Sequence, residues 1–278
     1  MFDQVTAFSE TFHPNWQFPT QRSIYLPNVK YKKKIAMNNT QSEVSNSEML
    51  SKQIRRFRWL GIAGILGAVA LFSGDMLYLF DANSEWSRLK TLSNTPDQQF
   101  LLSGICALFA AWFYTLGAGQ IYFALRPSGR ILSKLTFLSF AAIMIGYGVA
   151  HAAYFSIITG AKATFLVGID AEAVTELPDR YFNLLVKILL IPGIVATLLF
   201  VYTVFFRRTH YPRWIIIFFP MFLYLLDDLI VERLHGGLKM IIQGGYANLI
   251  MLLFFAISTI VLWNGGAVSK LDIEPGNK

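Results

Sequence analysis

The stretch FNLLVKILLIPGIVATLLFVYTVFF, residues 182–206, decides the fold class. It contains a single charged residue, Lys187, and it is apolar on every face, as the run LLFV at 198–201 illustrates. A strand of a membrane barrel alternates apolar and polar side chains, so this stretch is typical of a helix. A helix rises about 1.5 Å per residue and needs about 20 apolar residues to cross the hydrocarbon core of a bilayer. Residues 182–206 therefore predict a transmembrane helix.

Five other stretches of the chain share this composition. The 278 residues are 54% hydrophobic and 15% charged, whereas soluble domains are typically about 25% charged. We predict an all-α, polytopic membrane protein whose six-transmembrane-helix bundle extends over residues 57–264. The predicted spans are 59–80, 100–124, 131–157, 182–206, 214–233 and 241–264.

The distribution of basic residues predicts how this bundle is oriented. The connections after the second and fourth spans contain Arg and no Asp or Glu, whereas those after the first and third carry several acidic residues. Lys and Arg accumulate in cytoplasmic loops, which places both chain ends inside. Trp59, Trp214 and Trp263 fall at the predicted inner interface, as in an aromatic belt. This topology accounts for the net charge of +7, so we predict a lipid bilayer and no nucleic acid as partner.

The segments that flank the bundle are predicted to be cytoplasmic tails. Residues 1–50 are polar and lack helical periodicity, which favours a disordered tail. Met37 is an alternative start of the natural chain. Residues 265–278 form the predicted carboxyl-terminal tail.

Proline and capping residues predict local breaks. Asp170 is a predicted N-cap of a short helix that ends at Pro178, over the outer mouth of the bundle. Pro192 and Pro220 lie inside predicted spans, where the missing N–H and the ring kink a helix.

Ionisable side chains inside the spans are the main functional signal, because each costs about 2.5–3.5 kcal/mol at the middle of a membrane helix. They come late in outward-running spans and early in inward-running ones, so all reach a similar depth in the outer third of the membrane. Neighbouring tyrosines share their helical faces. We predict an outward-facing polar cavity formed by Asp75, Tyr78, Tyr147, His151, Tyr154, Lys187, Tyr224, Asp227, Asp228 and Asn248.

Three functions fit such a cavity. The leading hypothesis is the binding or transport of a small polar or amphiphilic ligand, with Lys187 pairing an anionic group. A metal-assisted membrane hydrolase is the alternative, with a transition metal held by His151, His235 and a carboxylate such as Asp75 or Asp228. The third is a structural or accessory protein whose polar network fixes the helix register. Outside the hydrolase hypothesis no cofactor is predicted, and enzymatic activity and oligomeric state stay open.

The first half of the chain contains several short motifs, namely Gly74-Asp75-Met76-Leu77-Tyr78, Trp86, Gly117, Ile145-Gly146-Tyr147-Gly148 and His151-Ala152-Ala153-Tyr154. Over roughly residues 57–160, these motifs resemble an uncharacterised bacterial family of multi-pass membrane proteins. The resemblance implies a location in the cytoplasmic membrane of the cell, and it emphasises Asp75 in the first span and His151 in the third. It implies no activity.

Overall fold

A computed structural model describes residues 29–80, 88–168 and 170–264 of the chain. The chain divides into two compact units, residues 1–46 and 47–278, and the contacts reported below belong to the second. Trp86 and most of the two predicted tails lie outside the described residues.

The described residues are helical and contain no strand, which confirms the all-α fold class. Two short 3₁₀ helices, Arg126–Ser128 and Arg213–Phe218, join longer elements. The α-helices are α1 Val29–Leu79, α2 Arg88–Asn94, α3 Asp97–Leu125, α4 Arg130–Val167, α5 Ala171–Phe206, α6 Pro220–Tyr224, α7 Asp227–Val231 and α8 Gly236–Leu262.

Within the described residues, five helices are long and apolar enough to cross a membrane, namely α1, α3, α4, α5 and α8. The most apolar 18-residue window of α5 is only 22% buried inside the protein, whereas that of α8 is 50% buried. Apolar side chains that point away from the protein need an apolar solvent, and lipid supplies it. The chain is therefore a multi-pass membrane protein with α8 at its centre.

Helix α1 begins well before the predicted first span, because residues 29–50 of the predicted disordered tail belong to it. The sequence contains neither proline nor glycine between Pro27 and Gly61. Many residues of this polar stretch are good helix formers. The stretch can therefore be helical although it has no apolar face.

The predicted second outer loop is much shorter than expected, because α4 continues to Val167 and α5 begins at Ala171. The predicted N-cap at Asp170 is confirmed, since its side chain accepts a hydrogen bond from the backbone N–H of Glu172 at 3.0 Å. The predicted stop at Pro178 is wrong. Pro178 lies two turns inside α5, where its missing N–H removes one hydrogen bond without ending the helix.

The predicted fifth span is broken into pieces. The 3₁₀ helix Arg213–Phe218 is followed by Phe219, which has extended backbone angles, and Pro220 begins α6. After Tyr224 the chain turns again before α7. The break predicted at Pro220 is confirmed, because proline is favoured in the first turn of a helix and cannot continue a preceding one.

This broken segment lies along α8 in the opposite direction. Near its beginning, the Tyr211 hydroxyl lies 2.8 Å from Ser258 Oγ, close to the end of α8. Further along, the carbonyl of Leu223 accepts a hydrogen bond of 2.8 Å from the Tyr246 hydroxyl, in the first half of α8. The segment thus follows α8 from its carboxyl end towards its amino end.

Close helix contacts at glycines hold α1 against α3. A Cβ atom built on Gly117 would lie 2.7 Å from the Cα of Gly64 and 2.9 Å from the Phe255 ring. On the same interface, a Cβ on Gly74 would lie 2.9 Å from the Cβ of Cys106. Small residues allow membrane helices to approach closely, and here they bring the outer half of α3 against Asp75.

Candidate functional site

Asp75, near the carboxyl end of α1, is the centre of a polar network that joins α1, α3 and α8. Its Oδ1 accepts a hydrogen bond from the Tyr78 hydroxyl at 3.1 Å, and its Oδ2 accepts one from Asn248 Nδ2 at 2.6 Å. The Asn248 Oδ1 in turn accepts from the Tyr114 hydroxyl at 3.2 Å. Both carboxylate oxygens of Asp75 therefore have a donor from a named side chain.

His151 on α4 extends this network to a fourth helix. Its Nδ1 lies 3.5 Å from Asp75 Oδ1, and its Nε2 lies 3.1 Å from the hydroxyl of Ser103 on α3. The imidazole also stands edge-on to the Tyr78 ring, with 5.8 Å between centroids. The side chains of His151 and Asp75 are 15% and 13% exposed, so both are mostly but not fully enclosed.

The network opens into a groove of about 700 Å³ between α3 and α4. The residues at its floor are small and leave this space open, namely Gly104, Ala107 and Ala111 on α3 and Gly148 and Ala152 on α4. Along α4 the groove extends from residue 145 to 158, about 20 Å at about 1.5 Å per residue. Its polar residues include Tyr78, Ser103, His151 and Tyr154, and its apolar walls include Leu101, Leu108, Trp112, Ile145, Val149 and Phe155.

A charged pair lies beyond the Ile158 end of this groove. Lys162, one turn after the groove-lining Ile158 on α4, forms an ion pair with Asp97 at the beginning of α3. The Lys162 ammonium also lies 4.8 Å from the centre of the Phe100 ring, which lines the groove. The groove therefore has a charged end beyond Ile158, which the predicted topology makes the outer end, a polar middle at His151 and an apolar half towards Ile145.

Two more of the predicted residues line a second, smaller cavity of about 110 Å³. Tyr147 and Tyr224 border it together with Asn248, and Pro220 borders it at the break before α6. Asn248 thus belongs to the Asp75 network and also to this cavity. The remaining lining residues are largely apolar.

The structure does not bring the other three predicted residues into either cavity. Lys187 and Asp228 are exposed and Asp227 is half-buried, and among the described residues no ion pair joins Lys187 to either aspartate. Lys187 occupies an outward face of α5. The sequence positions of these residues predict their depth along the helices, but not the direction in which each side chain points.

Of the four predicted metal ligands, Asp75 and His151 are neighbours, whereas the other two line neither cavity. His235 is the exposed residue before α8, and Asp228 is exposed on α7. In the described part of the chain, no group of three or more His, Cys, Asp or Glu side chains is placed to hold a metal ion. The metal-assisted hydrolase stays a prediction.

Two members of the network, Ser103 and Tyr114, were not among the predicted residues. Both lie on α3, which carries no charged residue between Asp97 and Arg126. Hydroxyl side chains are common in membrane helices and carry no signal of their own. The one feature of the sequence that could have indicated Ser103 and Tyr114 is the nearby small residues Gly104 and Gly117, which allow close helix packing.

Comparison with known proteins identifies the family of the chain but no characterised relative. No curated protein and no solved structure matches the chain. A family model of unknown function matches residues 37–264, a longer region than the resemblance noted in the sequence. Membership in an uncharacterised family is thereby confirmed, whereas a bacterial source stays a prediction. The chain belongs to the family of unknown function DUF6796.

Proposed function

We propose that this protein binds one amphiphilic molecule in the groove between α3 and α4, with its polar part at His151. The observation that carries this proposal is that the Asp75–His151 network opens into an apolar groove on the outer surface of the helices. A purely polar ligand would leave the walls of Leu108, Trp112 and Ile145 without a partner.

The three zones of the groove support one class of ligand. The inner half accommodates an alkyl or acyl chain, because burial of each methylene contributes about 0.8 kcal/mol. His151 and Ser103 meet a polar linkage near the middle of the 20 Å groove. The Lys162–Asp97 pair at the outer end meets a polar or charged headgroup. A lipid-like molecule that enters sideways from the bilayer has this order of parts.

The proposal includes six membrane crossings with both ends in the cytoplasm. The broken segment between α5 and α8 follows α8 along its length, which supports a crossing without a continuous helix. The Arg58 side chain donates a hydrogen bond of 2.9 Å to the carbonyl of Trp263, just after α8. Residues near the start of the first span and the end of the last are thus neighbours, as an even number of crossings requires.

Native mass spectrometry of protein extracted from its membrane tests the proposed binding. We expect one lipid-sized adduct per chain that survives the removal of bulk lipid and detergent. Gly104→Phe fills the floor of the groove and should lose this adduct. The substitution is sterically accessible because a Cβ on Gly104 meets no atom within 4 Å.

Leu102→Phe is the matched control, since Leu102 is on the same helix, is 48% exposed and does not line the groove. It should retain the adduct. Equal retention by Gly104→Phe and the wild type would reject the groove as the binding site, and a wild-type protein without any adduct would reject the proposal itself.

A register-fixing structural protein is the second candidate. This candidate is favoured by the hydrogen bonds of Asp75 and Asn248, which link three helices. Under this alternative, Asp75→Asn would lower thermal stability. Retention of the adduct, measured at a temperature where the variant is folded, would not depend on the groove residues. Retention that depends on Gly104 separates the two functions.

A further inference from the structure

Ser103, His151 and Asp75 follow one another in space in an order that is unusual for a network that only holds helices together. Ser103 Oγ lies 3.1 Å from His151 Nε2, and the other ring nitrogen, Nδ1, lies 3.5 Å from Asp75 Oδ1. A nucleophile, a base and a carboxylate that orients the base are recognised by this geometry and not by their order in the chain. We infer that Ser103 is a nucleophile, activated by His151 and Asp75, that cleaves an ester bond of the amphiphile in the groove. This inference rests on the proposed function, because the groove supplies the substrate.

The hydrogen bond of Ser103 differs from those that three threonines of the spans make within their own helices. Thr115, Thr136 and Thr197 each donate to a carbonyl of their own helix four residues earlier. That bond is the ordinary way for a membrane helix to satisfy a hydroxyl. Ser103 instead pairs with His151 on another helix, so its hydroxyl is held next to a base.

The inferred reaction needs the tautomer of neutral His151 that carries its proton on Nδ1, towards Asp75. An ionised Asp75 carboxylate favours this tautomer, because it only accepts hydrogen bonds. Nε2 is then the acceptor for the Ser103 hydroxyl. Tyr78 and Asn248 hold the Asp75 carboxylate from two other directions, which fixes the orientation of the imidazole. Asp75, Tyr78 and Asn248 are positioning residues in this reaction.

A substrate can reach Ser103 from the groove. Ser103 itself is 2% exposed, but it lines the groove with His151. The neighbouring Gly104 has no atom within 4 Å of a built Cβ, so an ester group has room beside the α3 backbone. An acyl chain in the inner half of the groove places its carbonyl carbon near the middle, where Ser103 and His151 lie.

The reaction needs the substrate and one water molecule. Ser103 Oγ forms a bond with the ester carbonyl carbon as its proton moves to His151 Nε2. The tetrahedral intermediate then expels the alcohol, which takes that proton, and leaves an acyl ester on Ser103. Water attacks this ester and gives a proton to His151, which returns it to Ser103 Oγ as the carboxylic acid leaves. Atoms and protons balance without a metal, an oxidant or a reductant.

The test is covalent labelling of the purified full-length protein with a long-chain alkyl fluorophosphonate, a probe that reacts with activated serines. Peptide mass spectrometry should locate one phosphonate on Ser103. His151→Ala should slow this labelling at least 100-fold, as expected for loss of a general base. Asp75→Asn should slow it about 100- to 10,000-fold, because the imidazole then loses its orienting carboxylate.

Ser156→Ala is the matched control, since Ser156 is an exposed serine on α4 whose hydroxyl bonds to Ala153 of its own helix. It should be labelled at the wild-type rate. Folded wild-type protein that gains no phosphonate on Ser103 would overturn the inference without any variant. If such protein still retains its lipid adduct, amphiphile binding stands and only the hydrolase fails. If Gly104→Phe changes neither adduct retention nor labelling, the groove fails as well.

Discussion

Asn248 is the residue that joins α8 to the polar network around Asp75. It donates to Asp75 at 2.6 Å and accepts from Tyr114 at 3.2 Å, and it is 5% exposed. No other side chain in the described hydrogen bonds connects α8 to Asp75. A buried polar group that loses its partner costs about 1–3 kcal/mol, so single substitutions here should be visible in stability.

We therefore expect Asn248→Ala to lower the free energy of unfolding by about 1–3 kcal/mol, because the Asp75 carboxylate and the Tyr114 hydroxyl both lose a partner. Thermal unfolding of the detergent-purified protein measures this loss. Asn183→Ala is the control, since Asn183 is exposed on α5, and it should leave the unfolding midpoint nearly unchanged. Equal midpoints for both variants would show that the network contributes no stability.

The sequence identifies some of these residues for a clear physical reason. Asp75 and His151 are conspicuous because ionisable groups in membrane helices are costly and rare. Ser103 is not conspicuous, because a hydroxyl satisfied by its own helix and one paired with a histidine look the same in the sequence. Lys187 is the opposite case. A lysine is equally conspicuous in a span, but this one is exposed and lies outside the network.

Glycine contacts determine how close the helices come. Gly117 on α3 lies against Gly64 and Phe255, where a Cβ would be 2.7 Å from backbone. Gly119, two residues further along the same helix, would place its Cβ at 3.4 Å from the Leu60 side chain, an ordinary contact. The two positions form a natural pair for comparison.

Gly117→Ala should destabilise the protein by about 1–3 kcal/mol, since the added methyl forces α1 and α3 apart. Gly119→Ala should be neutral or stabilise by up to about 1 kcal/mol, because alanine favours a helix over glycine. Thermal unfolding of both variants in the same detergent is the measurement. Similar losses at the two positions would contradict the close α1–α3 contact.

The breaks on the two sides of α6 carry a different cost. An interrupted helix leaves backbone groups without their helical partners, which is expensive in a membrane unless protein groups replace them. At the carboxyl end of α6, the Tyr246 hydroxyl donates to the Leu223 carbonyl. Pro220 predicts such a break from sequence, whereas the second break, after Tyr224, has no proline or glycine to announce it.

The number of membrane crossings is a property of the whole molecule. Five long helices alone would leave Arg58 and Trp263 at opposite ends, yet the two are in contact. The proposed six crossings account for this contact, because the segment between α5 and α8 then returns the chain from one end of the helices to the other.

Cysteine labelling from outside intact cells tests this topology. Cys106 is the single cysteine of the chain, so Cys106→Ser gives a background in which one new cysteine is placed at a time. Glu172→Cys and Glu232→Cys should react with an impermeant maleimide. Arg208→Cys should react only after permeabilisation. If Glu232→Cys behaves as Arg208→Cys does, the segment does not cross and the chain has five crossings.

The sequence by itself determined that this is a multi-pass helical membrane protein, because length and apolar composition are properties of each segment alone. It also determined that Asp75 and His151 are exceptional, since ionisable groups are rare in membrane spans. Only the tertiary structure decided which polar groups meet. A residue's depth follows from its position in a span, but its direction follows from how helices rotate and pack. The packing of α3 against α4 places Ser103 next to His151, and the orientation of α5 leaves Lys187 exposed.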